Sequence, residues 1–539
     1  MGGNMSMASG RDTTLVGAQV KAGGDITAVA QGNLNIRNAT DTSSMDHVNT
    51  RDSDHVHTAS RLDETTVGSN VSAGGNVTLA AVKPSAGGSA RTDGGGNVSI
   101  IGSSITAGTA QPEADEKSLA SDTPTVPGRM TIMPVDLSET KAKAPSAGGI
   151  TIVADRDVTI GEAREQHDAA RFDFDASRGL LSSKSVRSEA TSNANIGVSS
   201  TVSGDAVRVQ AGNDLTVRGS NVVGTNDVTL AAARDVSITT SQNTSQSSSS
   251  TERKESGFLS GGGMSVSIGS RSQSADQQSS QVTHNGSMVG SLDGNLTISA
   301  GNDAHVTGSV IHAGKDLAMA GKTVTIDSAY DTTADAERQR FRQAGVTVGI
   351  TNPVISAIQT GQQMAEAAKH VDGDPRLLAL AAATTGLAAK NAYDAVGGDP
   401  VKAATSVGIN ISLGASKSDS QSQMQSSTAV GSTVSAGGNV TIAASGAGKD
   451  SNINVIGSTI SSGKNTLLAA DGDVNLQAAK STSSQHSNNS GASAGVGVSI
   501  SLGSQSGIAF TANASGSRGN ADGDSTTWTN THVNAGDTL

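Results

Sequence analysis

The residues best suited to metal chemistry lie close together near the N-terminus, in the stretch MDHVNTRDSDHVH. Three histidines stand there beside three aspartates: His47, His55, His57, Asp46, Asp52 and Asp54. On a β-strand His55 and His57 would share a face, and a pair of imidazoles suits zinc, copper or iron. No further ligand spacing completes a four-ligand site. We therefore interpret the stretch as a solvated polar loop, and we predict no metal ion and no cofactor.

Acidic residues also recur at matching places along the chain: Asp25, Asp214, Asp303, Asp316 and Asp473. The calcium-binding β-roll uses the nine-residue repeat G-G-x-G-x-D-x-U-x in tandem copies. This chain has no tandem copy of that repeat, and asparagine often replaces the aspartate. Because Asp and Asn side chains hydrogen-bond to nearby backbone in turns, we expect these residues to form corners of the chain.

Composition and motifs give catalysis little support. The chain has no cysteine, which excludes disulfides, thiolate zinc sites and thiol nucleophiles. The Gly-Gly-Gly runs at 94–96 and 261–263 are not followed by the Gly-Lys-Ser/Thr of a phosphate-binding loop. Asp and Glu are dispersed, whereas a β-helix polysaccharide-active enzyme, the remote alternative, would cluster them in one groove. We predict that the chain is not an enzyme and has no catalytic residues and no small-molecule substrate.

A repeated phrase predicts the elements that carry these residues. Residues 71–81 read VSAGGNVTLAA and residues 434–444 read VSAGGNVTIAA, which differ at one position. The unit is a small-residue corner, then Asn or Asp, then an apolar–polar–apolar triplet. In that triplet Val77 and Leu79 point to one side of a strand and Thr78 to the other. Since Gly and Asn tolerate the positive φ of a sharp bend, the phrase predicts a short strand after a tight corner.

The spacing of these strands predicts the architecture. Leu215 to Val228 is 13 positions and Val228 to Val236 is 8, so one cycle is 21 residues, and Leu296 to Leu317 is again 21. A fixed period near 20 indicates a solenoid whose turns stack on one another. We predict an all-β fold, a right-handed parallel β-helix. Six aliphatic side chains should point inward: Val77, Leu79, Val228, Leu230, Val440 and Ile442.

Several segments leave this pattern and divide the chain. The expected divisions are coils with polar excursions at 1–240, a Ser/Gln-rich excursion with an extra strand at 241–290, coils at 291–330, an insert at 331–430, coils at 431–480, a Ser/Asn-rich excursion with an extra strand at 481–530, and the start of a truncated coil at 531–539. The serine-rich flanks are either disordered or form strands that project from the helix or lie along its side.

Three alternating, glycine-containing stretches share one template: GGGMSVSIGSRSQS at 261–274, TSVGINISLGASKS at 405–418 and GVGVSISLGSQS at 495–506. We interpret them as a second, longer-period repeat of strands laid over the coil repeat.

One part of the insert predicts a helical hairpin at 352–398. Asn352 and Pro353 form an N-cap and first-turn signal, and a second such signal begins at Asp374. The apolar stretch at 377–389 is too short to span a bilayer, so we expect the alanine-rich faces to pack on each other.

The stretches AGNDLTVRGSNV, AGKDLAMAG, VSAGGNVTIAAS and SSSSTERKESGFLSGGGMSVSIGS resemble the haemagglutinin repeats of filamentous haemagglutinin-like proteins, the large exoproteins of two-partner secretion. The serine-rich excursion followed by GGGMSVSIGS resembles the second repeat region of contact-dependent growth-inhibition effectors. The resemblance implies a rod-shaped protein secreted to the surface of a Gram-negative bacterium. It also implies an outer-membrane transporter as partner, through an N-terminal domain that this sequence lacks.

Two functions remain open on this evidence: an adhesive rod that contacts a host or bacterial surface receptor, and the stalk that delivers a growth-inhibiting toxin. The formal net charge of −12, without a run of Lys or Arg, disfavours nucleic acid as a partner. The first residues contain no apolar signal-peptide core, and the chain begins and ends inside the repeat. We expect it to be a fragment of a longer exoprotein.

Overall fold

The computed structural model describes residues 3–83, 96–108, 148–261, 265–351, 407–502 and 507–539. Within these ranges the fold is built of strands and one short 3-10 turn at Gly448–Asp450. Ten coils follow one another, each with three short strands, and every second coil adds a long β-hairpin. The predicted helical hairpin at 352–398 lies outside the described residues.

The strands fall into five successive groups, each made of two coils and one hairpin. The first group is β1 (Met5–Ser9), β2 (Thr13–Val16), β3 (Gln19–Ala22), β4 (Ile26–Ala30), β5 (Leu34–Arg37), β6 (Ala39–Asp52), β7 (His55–Val67) and β8 (Asn70–Ala73). The second is β9 (Val77–Ala81), β10 (Val98–Ile101), β11 (Ser104–Ala107), β12 (Ile150–Ala154), β13 (Val158–Gly161), β14 (Ala163–Arg178), β15 (Ser182–Val198) and β16 (Thr201–Gly204). The third is β17 (Val207–Ala211), β18 (Leu215–Arg218), β19 (Asn221–Gly224), β20 (Val228–Ala232), β21 (Val236–Thr239), β22 (Ser241–Gly261), β23 (Ser265–Asn285) and β24 (Met288–Ser291). The fourth is β25 (Leu296–Ala300), β26 (Asp303–Thr307), β27 (Val310–Ala313), β28 (Leu317–Gly321), β29 (Thr323–Asp327), β30 (Ala329–Thr351), β31 (Val407–Val430) and β32 (Thr433–Ala436). The fifth is β33 (Val440–Ala444), β34 (Ile453–Ile456), β35 (Thr459–Ser462), β36 (Thr466–Ala470), β37 (Val474–Gln477), β38 (Ala479–Leu502), β39 (Gly507–Thr529) and β40 (His532–Ala535).

The short strands stack into three parallel ten-stranded sheets, one strand from each coil per sheet. The first sheet begins β1-β4-β9, the second β2-β5-β10 and the third β3-β8-β11. Met5 pairs with Ile26 and Leu296 with Leu317, so the 21-residue cycle is the step between neighbouring coils. The predicted parallel β-helix is confirmed, whereas its right-handed sense stays a prediction.

The interior is a column of aliphatic side chains. Each of the six side chains predicted to point inward is at most 1% exposed. In the first sheet the paired positions Val77, Ile150 and Val207 continue one such row from coil to coil. Full burial of one aliphatic side chain stabilises the fold by roughly 1.5–3 kcal/mol, so the stack gains stability coil by coil.

Asparagine and aspartate form ladders at two of the three corners. The backbone N–H of Asn76 donates to Asp25 Oδ1 at 2.7 Å, and that of Asn439 donates to Asp316 Oδ1 at 2.7 Å. At the second corner the N–H of Asp235 donates to Asp214 Oδ1 at 3.3 Å, and the Thr323 hydroxyl donates to Asp303. The N–H of Asp473 donates to the Asn452 side chain at 2.7 Å. Asp25, Asp214, Asp303 and Asp316 thus bind neighbouring corners through their carboxylates and Asp473 through its backbone, so these residues occupy the corners that the sequence predicted.

A buried serine ladder occupies the third corner, just before eight of the ten strands of the third sheet. Its members are at most 3% exposed: Ser69, Ser103, Ser200, Ser220, Ser287, Ser309, Ser432 and Ser458. The N–H of Ser103 donates to Ser200 Oγ at 3.1 Å, and the N–H of Ser200 donates to Ser220 Oγ at 3.2 Å. The hydroxyl of Ser200 in turn donates to Gly161 O at 2.6 Å. Each hydroxyl therefore satisfies backbone groups that the corner would leave unpaired.

The polar excursions are strands. Each of the five hairpins leaves after a strand of the second sheet and returns at the third corner. The hairpins pair with one another in the order β39-β38-β31-β30-β23-β22-β15-β14-β7-β6, a continuous antiparallel sheet that we call the fin. The two alternatives for these segments are thereby resolved in favour of strands, and the loop expected around His47 to His57 is wrong: it is the hairpin β6-β7.

Geometry explains why hairpins sit on alternate coils. Neighbouring strands lie about 4.8 Å apart in any sheet, so two stacked coils rise by about 9.6 Å. One hairpin contributes two strands and also needs about 9.6 Å along the fin. A hairpin on every second coil therefore lets the fin and the β-helix advance at the same rate.

Candidate interaction surface

The fin is a single layer with two solvent-facing sides. Sheets usually bury one face against another layer. In the described part of the fin, by contrast, few side chains away from its base are buried, among them Ala176, Leu259 and Ser267. Its longest strands, β31 and β38, have 24 residues each, which corresponds to roughly 80 Å. Within the described residues the fin thus offers an extended surface for contacts.

We call the face of the fin that carries Ile268, Val346, Leu413 and Val496 its front face. Ile268 pairs with Val346, Val346 with Leu413, and Leu413 with Val496. Directly paired residues share a face, and so do residues two apart along a strand. Both faces can therefore be followed across all ten strands.

The front face carries an apolar patch at the tip ends of the last three hairpins. Its exposed members are Phe258, Val266, Ile268, Val346, Val348, Ile409, Ile411, Leu413, Val496, Ile508 and Phe510. Leu413 is 56% exposed and Phe510 is 83% exposed. A contiguous patch of exposed apolar side chains usually marks an interaction site. The three template stretches supply much of it, because register brings their alternating apolar residues side by side.

A belt of small residues borders the patch on the side of the rod. On the back face it is a row of paired glycines, Gly257, Gly269, Gly345, Gly414 and Gly495. A Cβ on Gly269 would lie 2.1 Å from the backbone oxygen of Ala344. The front-face neighbours in the belt are Ser and Ala, such as Ser270 and Ala415. The belt lets the strand backbones approach closely and leaves a groove on the front face.

The groove has a volume of about 880 Å³. Its lining includes Ala344 and Ala415 from the belt. One row further toward the rod, it is lined by Lys254, Arg342 and Lys417. The arrangement combines a narrow floor with a cationic wall, and the apolar patch borders the floor on its other side, one row nearer the hairpin tips. We call this border the apolar wall. Such a surface suits binding of an elongated partner rather than covalent chemistry.

The predicted histidine cluster lies on the first hairpin, and carboxylates contact it. His47 lies in β6, whereas His55 and His57 lie in β7. His57 Nδ1 lies 2.9 Å from Asp173 Oδ1 of the second hairpin, and His55 Nδ1 lies 2.8 Å from Asp52 Oδ1. The hydrogen bond from His55 is the main cause that lowers the pKa of Asp52 below its usual value.

The remaining members of that cluster also enter pairings between strands. Asp46 stands opposite Ser60. Asp54 accepts from Arg178 at 3.1 Å. Hydrogen bonds from Arg171 and then from His57 lower the pKa of Asp173. No group of three or more potential metal ligands occurs in the part of the chain that the structure describes. The cluster therefore joins the first two hairpins.

A buried carboxylate, paired with two partly exposed arginines, fixes the second hairpin to the coil stack. The side chain of Glu162 is 1% exposed and lies where β13 passes into β14. Arg164 Nη2 donates to Glu162 Oε1 at 2.9 Å, and Arg218 Nε of the next coil donates to Oε2 at 2.9 Å. One carboxylate thus ties a hairpin strand to two coils. Nothing in the sequence spacing marks Glu162 for this role.

Comparison with known proteins places these features in context. A family model described as hemagglutinin repeat matches residues 1–53, 181–343 and 413–539, more than half of the chain. No solved structure matches the chain. Within the described residues no helix is long and apolar enough to cross a bilayer.

Curated relatives match at substantial identity. The chain is 33% identical to "tRNA nuclease CdiA-2" of Burkholderia pseudomallei (strain 1026b) over 469 residues, which are 84% of this chain and 13% of that protein. It is 42% identical to "tRNA nuclease CdiA" of Burkholderia pseudomallei over 288 residues, 51% of this chain and 22% of that protein. It is 34% identical to "16S rRNA endonuclease CdiA" of Enterobacter cloacae over 348 residues, 63% of this chain and 10% of that protein. The chain therefore spans less than a quarter of the length of each of these relatives.

Proposed function

The chain belongs to the hemagglutinin-repeat family, and from this membership and the fold we propose that it is a stalk segment of a secreted contact-dependent growth-inhibition protein. Its role is to hold a toxin away from the producing cell and to support its delivery into a neighbour. The observation that carries the proposal is the similarity, over 84% of this chain, to a protein named tRNA nuclease CdiA-2.

The β-helix supports a spacer role. Ten coils at about 4.8 Å each give a segment about 48 Å long. The aliphatic column runs through the described coils, and backbone hydrogen bonds join each coil to the next, which makes the segment stiff. Since each coil depends mainly on its neighbours, further coils lengthen such a rod without changing its construction.

Secretion is part of the proposal and is consistent with the fold. We assign export to an outer-membrane two-partner-secretion transporter and place the folded rod at the bacterial cell surface. A solenoid can fold coil by coil as the chain emerges. With no cysteine, such folding does not depend on disulfide formation.

The proposal gives this chain a structural role and leaves nuclease activity to other parts of the whole protein. The matched region is 13% of the relative called CdiA-2, so that name describes a much larger molecule.

An adhesive rod is the second candidate, and the apolar patch on the fin favours it. Exposed apolar surface on a rigid scaffold can bind a receptor on a host cell or on another bacterium. The two candidates differ in the outcome of attachment, because only the growth-inhibition protein harms the cell that it touches.

The experiment uses the complete protein that contains these residues, displayed on its own bacterium. A variant without the fin has each hairpin replaced by a Gly-Ser corner like Gly219–Ser220 of the hairpin-free coil, so the rod is kept. Attachment to target cells is measured by flow cytometry, and target growth is measured in co-culture.

We expect the wild-type protein to inhibit targets on contact and not across a porous filter. We also expect the variant to attach normally while inhibition is lost. Attachment without any inhibition by the wild type would overturn the delivery proposal and leave the adhesive rod. Unchanged attachment and inhibition in the variant would show that the fin serves neither role.

A further inference from the structure

Two like charges face each other on the front face of the fin. Arg342 of β30 and Lys417 of β31 are direct cross-strand partners. Among the described residues neither side chain has an ion pair or side-chain hydrogen bond, although like charges directly opposite each other destabilise a sheet. The next two arginines along β30 behave differently, because Arg338 and Arg340 both approach Asp419, at 3.1 and 3.6 Å.

The unpaired cations line the groove between the patch and the rod. The floor of small residues crosses β22, β23, β30, β31 and β38, a distance of about 19 Å at about 4.8 Å per strand step. On β31, four residues separate Leu413 of the apolar wall from Lys417 of the cationic wall, a distance of roughly 13 Å along the strand. The groove is therefore elongated, is about as wide as one polypeptide element, and differs chemically along its two edges.

We propose that this groove binds an α-helix of a partner polypeptide whose surface is apolar along one side and acidic along the adjacent side. A helix with its side chains is about 10–12 Å across, and about 13 residues span 19 Å. Its apolar stripe contacts Ile268, Val346 and Leu413, and its carboxylates pair with Arg342 and Lys417. Amphipathic helices are recognised by apolar grooves in this manner.

Charge and shape select this occupant over the alternatives. The chain as a whole has a formal net charge of −12. Lys254 in the cationic wall pairs with Glu252 at 2.8 Å, but Arg342 and Lys417 have no ion pair among the described residues, and two such facing cations call for an anionic partner. A bilayer is flat on this scale and would not enter a groove between two walls. A second copy would bring another cationic row against the first. The inference goes beyond the stalk proposal and holds equally for an adhesive rod.

The test measures binding of a labelled 18-residue peptide to the 539-residue chain by fluorescence anisotropy. The peptide carries leucine along one helical stripe and glutamate along the next. Two control peptides keep the length and the leucine stripe, one with lysine in place of glutamate and one with central prolines that prevent a helix.

The decisive variant is the double substitution Arg342→Thr and Lys417→Thr, which keeps β-compatible residues on an exposed surface. Its matched control, Lys464→Thr with Lys480→Thr, removes two exposed positive charges far from the groove. We expect the first variant to weaken binding by about tenfold at low salt and to reduce its salt dependence. The control variant should stay within about twofold of wild type. Leu413→Thr should weaken binding with unchanged salt dependence.

Five outcomes would overturn the proposal, the last of them being binding that requires excision of part of the chain. The first is an equal loss of peptide affinity in the two double variants. The second is binding of the lysine or the proline peptide as tightly as the glutamate peptide. The third is dimerisation of the chain, seen by sedimentation, that depends on Arg342 and Lys417 and excludes the peptide. The fourth is binding of phosphatidylglycerol vesicles that requires the two cations while the acidic peptide does not bind. Binding that appears only after residues 352–406 are excised would show that the chain itself occupies the groove, and the external partner would be excluded.

Discussion

Deleting a single hairpin-free coil should damage the fin and spare the β-helix. Residues Val207–Asp227 form one such coil with β17, β18 and β19. Their removal joins Ala206 to Val228, so each short strand meets the equivalent strand of the next coil. The interior column therefore stays in register. The hairpins β14-β15 and β22-β23, however, then leave from adjacent coils, and the fin has about 4.8 Å where two strands need about 9.6 Å.

The expected loss follows from the pairing that must break. β15 and β22 are paired over 14 positions, from Ser182 opposite Gly257 to Asn195 opposite Thr244. Antiparallel pairing gives on average about one backbone hydrogen bond per position, and each contributes about 0.5–1.5 kcal/mol net. Loss of this seam therefore costs on the order of 10 kcal/mol within the fin. Local opening of the fin need not unfold the coils, because each coil rests mainly on its neighbours.

Hydrogen exchange read out by mass spectrometry separates the two parts. Amides of β15 and β22 should lose protection in the deletion, whereas those of β20 and β21 should keep it. Deleting Val207–Asn295 removes two coils together with their hairpin. The remaining fin and the remaining β-helix should then both keep their protection, since the fin loses two strands as the β-helix loses two coils. Deleting Leu296–Asp316 should move the damage to the seam between β23 and β30. Full protection of the fin in the first deletion, or equal damage in the two-coil deletion, would refute the matched-rise argument.

Four substitutions test other parts of the structure. Val440→Asp places an unpaired charge in the interior and should lower the free energy of unfolding by about 3–5 kcal/mol in urea titrations. Gly269→Ala should loosen the fin by about 1–3 kcal/mol, seen as faster exchange in β23, because its Cβ would meet backbone at 2.1 Å. Glu162→Gln should cost about 2 kcal/mol and free the second hairpin for proteolysis, since it removes a buried anion between two arginines. A hydrogen bond to Asp327 raises the pKa of His305 above 6.5. Protonated His305 therefore stabilises the folded chain fully below pH 6.5, and this stabilisation is lost as pH rises through the raised pKa. The unfolding temperature of His305→Gln, measured against pH, should lack this loss of stability. The same loss in the variant would refute its assignment to His305.

The β-helix could be predicted from sequence because the same requirement recurs in every coil. Val77 and Val440 belong to coils far apart in the chain, yet both fill the aliphatic column at one position of the cycle. The corner role of Asp25 could also be predicted, since Asn and Asp replace one another at the corresponding position of other coils. The serine ladder was missed although a signal existed: a Gly-Ser pair precedes the third-sheet strands at Ser69, Ser220 and Ser458.

The fin could be predicted only in part, and the reason is physical. Its strands lack one continuous buried face, so the alternation that identifies a strand is weak outside the three template stretches. The polar segment with His57 was therefore interpreted as a loop, whereas pairing with β14 makes it a strand. The cationic wall was missed because Lys254, Arg342 and Lys417 come together only through register across β22, β23, β30 and β31.

The matched rise makes the pair of coils, with its hairpin, the true repeating unit of this rod. Insertion or loss of one coil changes the phase between the fin and the helix, whereas insertion or loss of a unit leaves both sheets continuous. A chain of this construction can therefore change length only in steps of two coils, about 9.6 Å, if its fin is to stay continuous. The groove strengthens this constraint, because its walls come from Lys254, Arg342 and Lys417 in two successive units. A single-coil change between those units would separate the residues that form the binding surface while every coil remained folded.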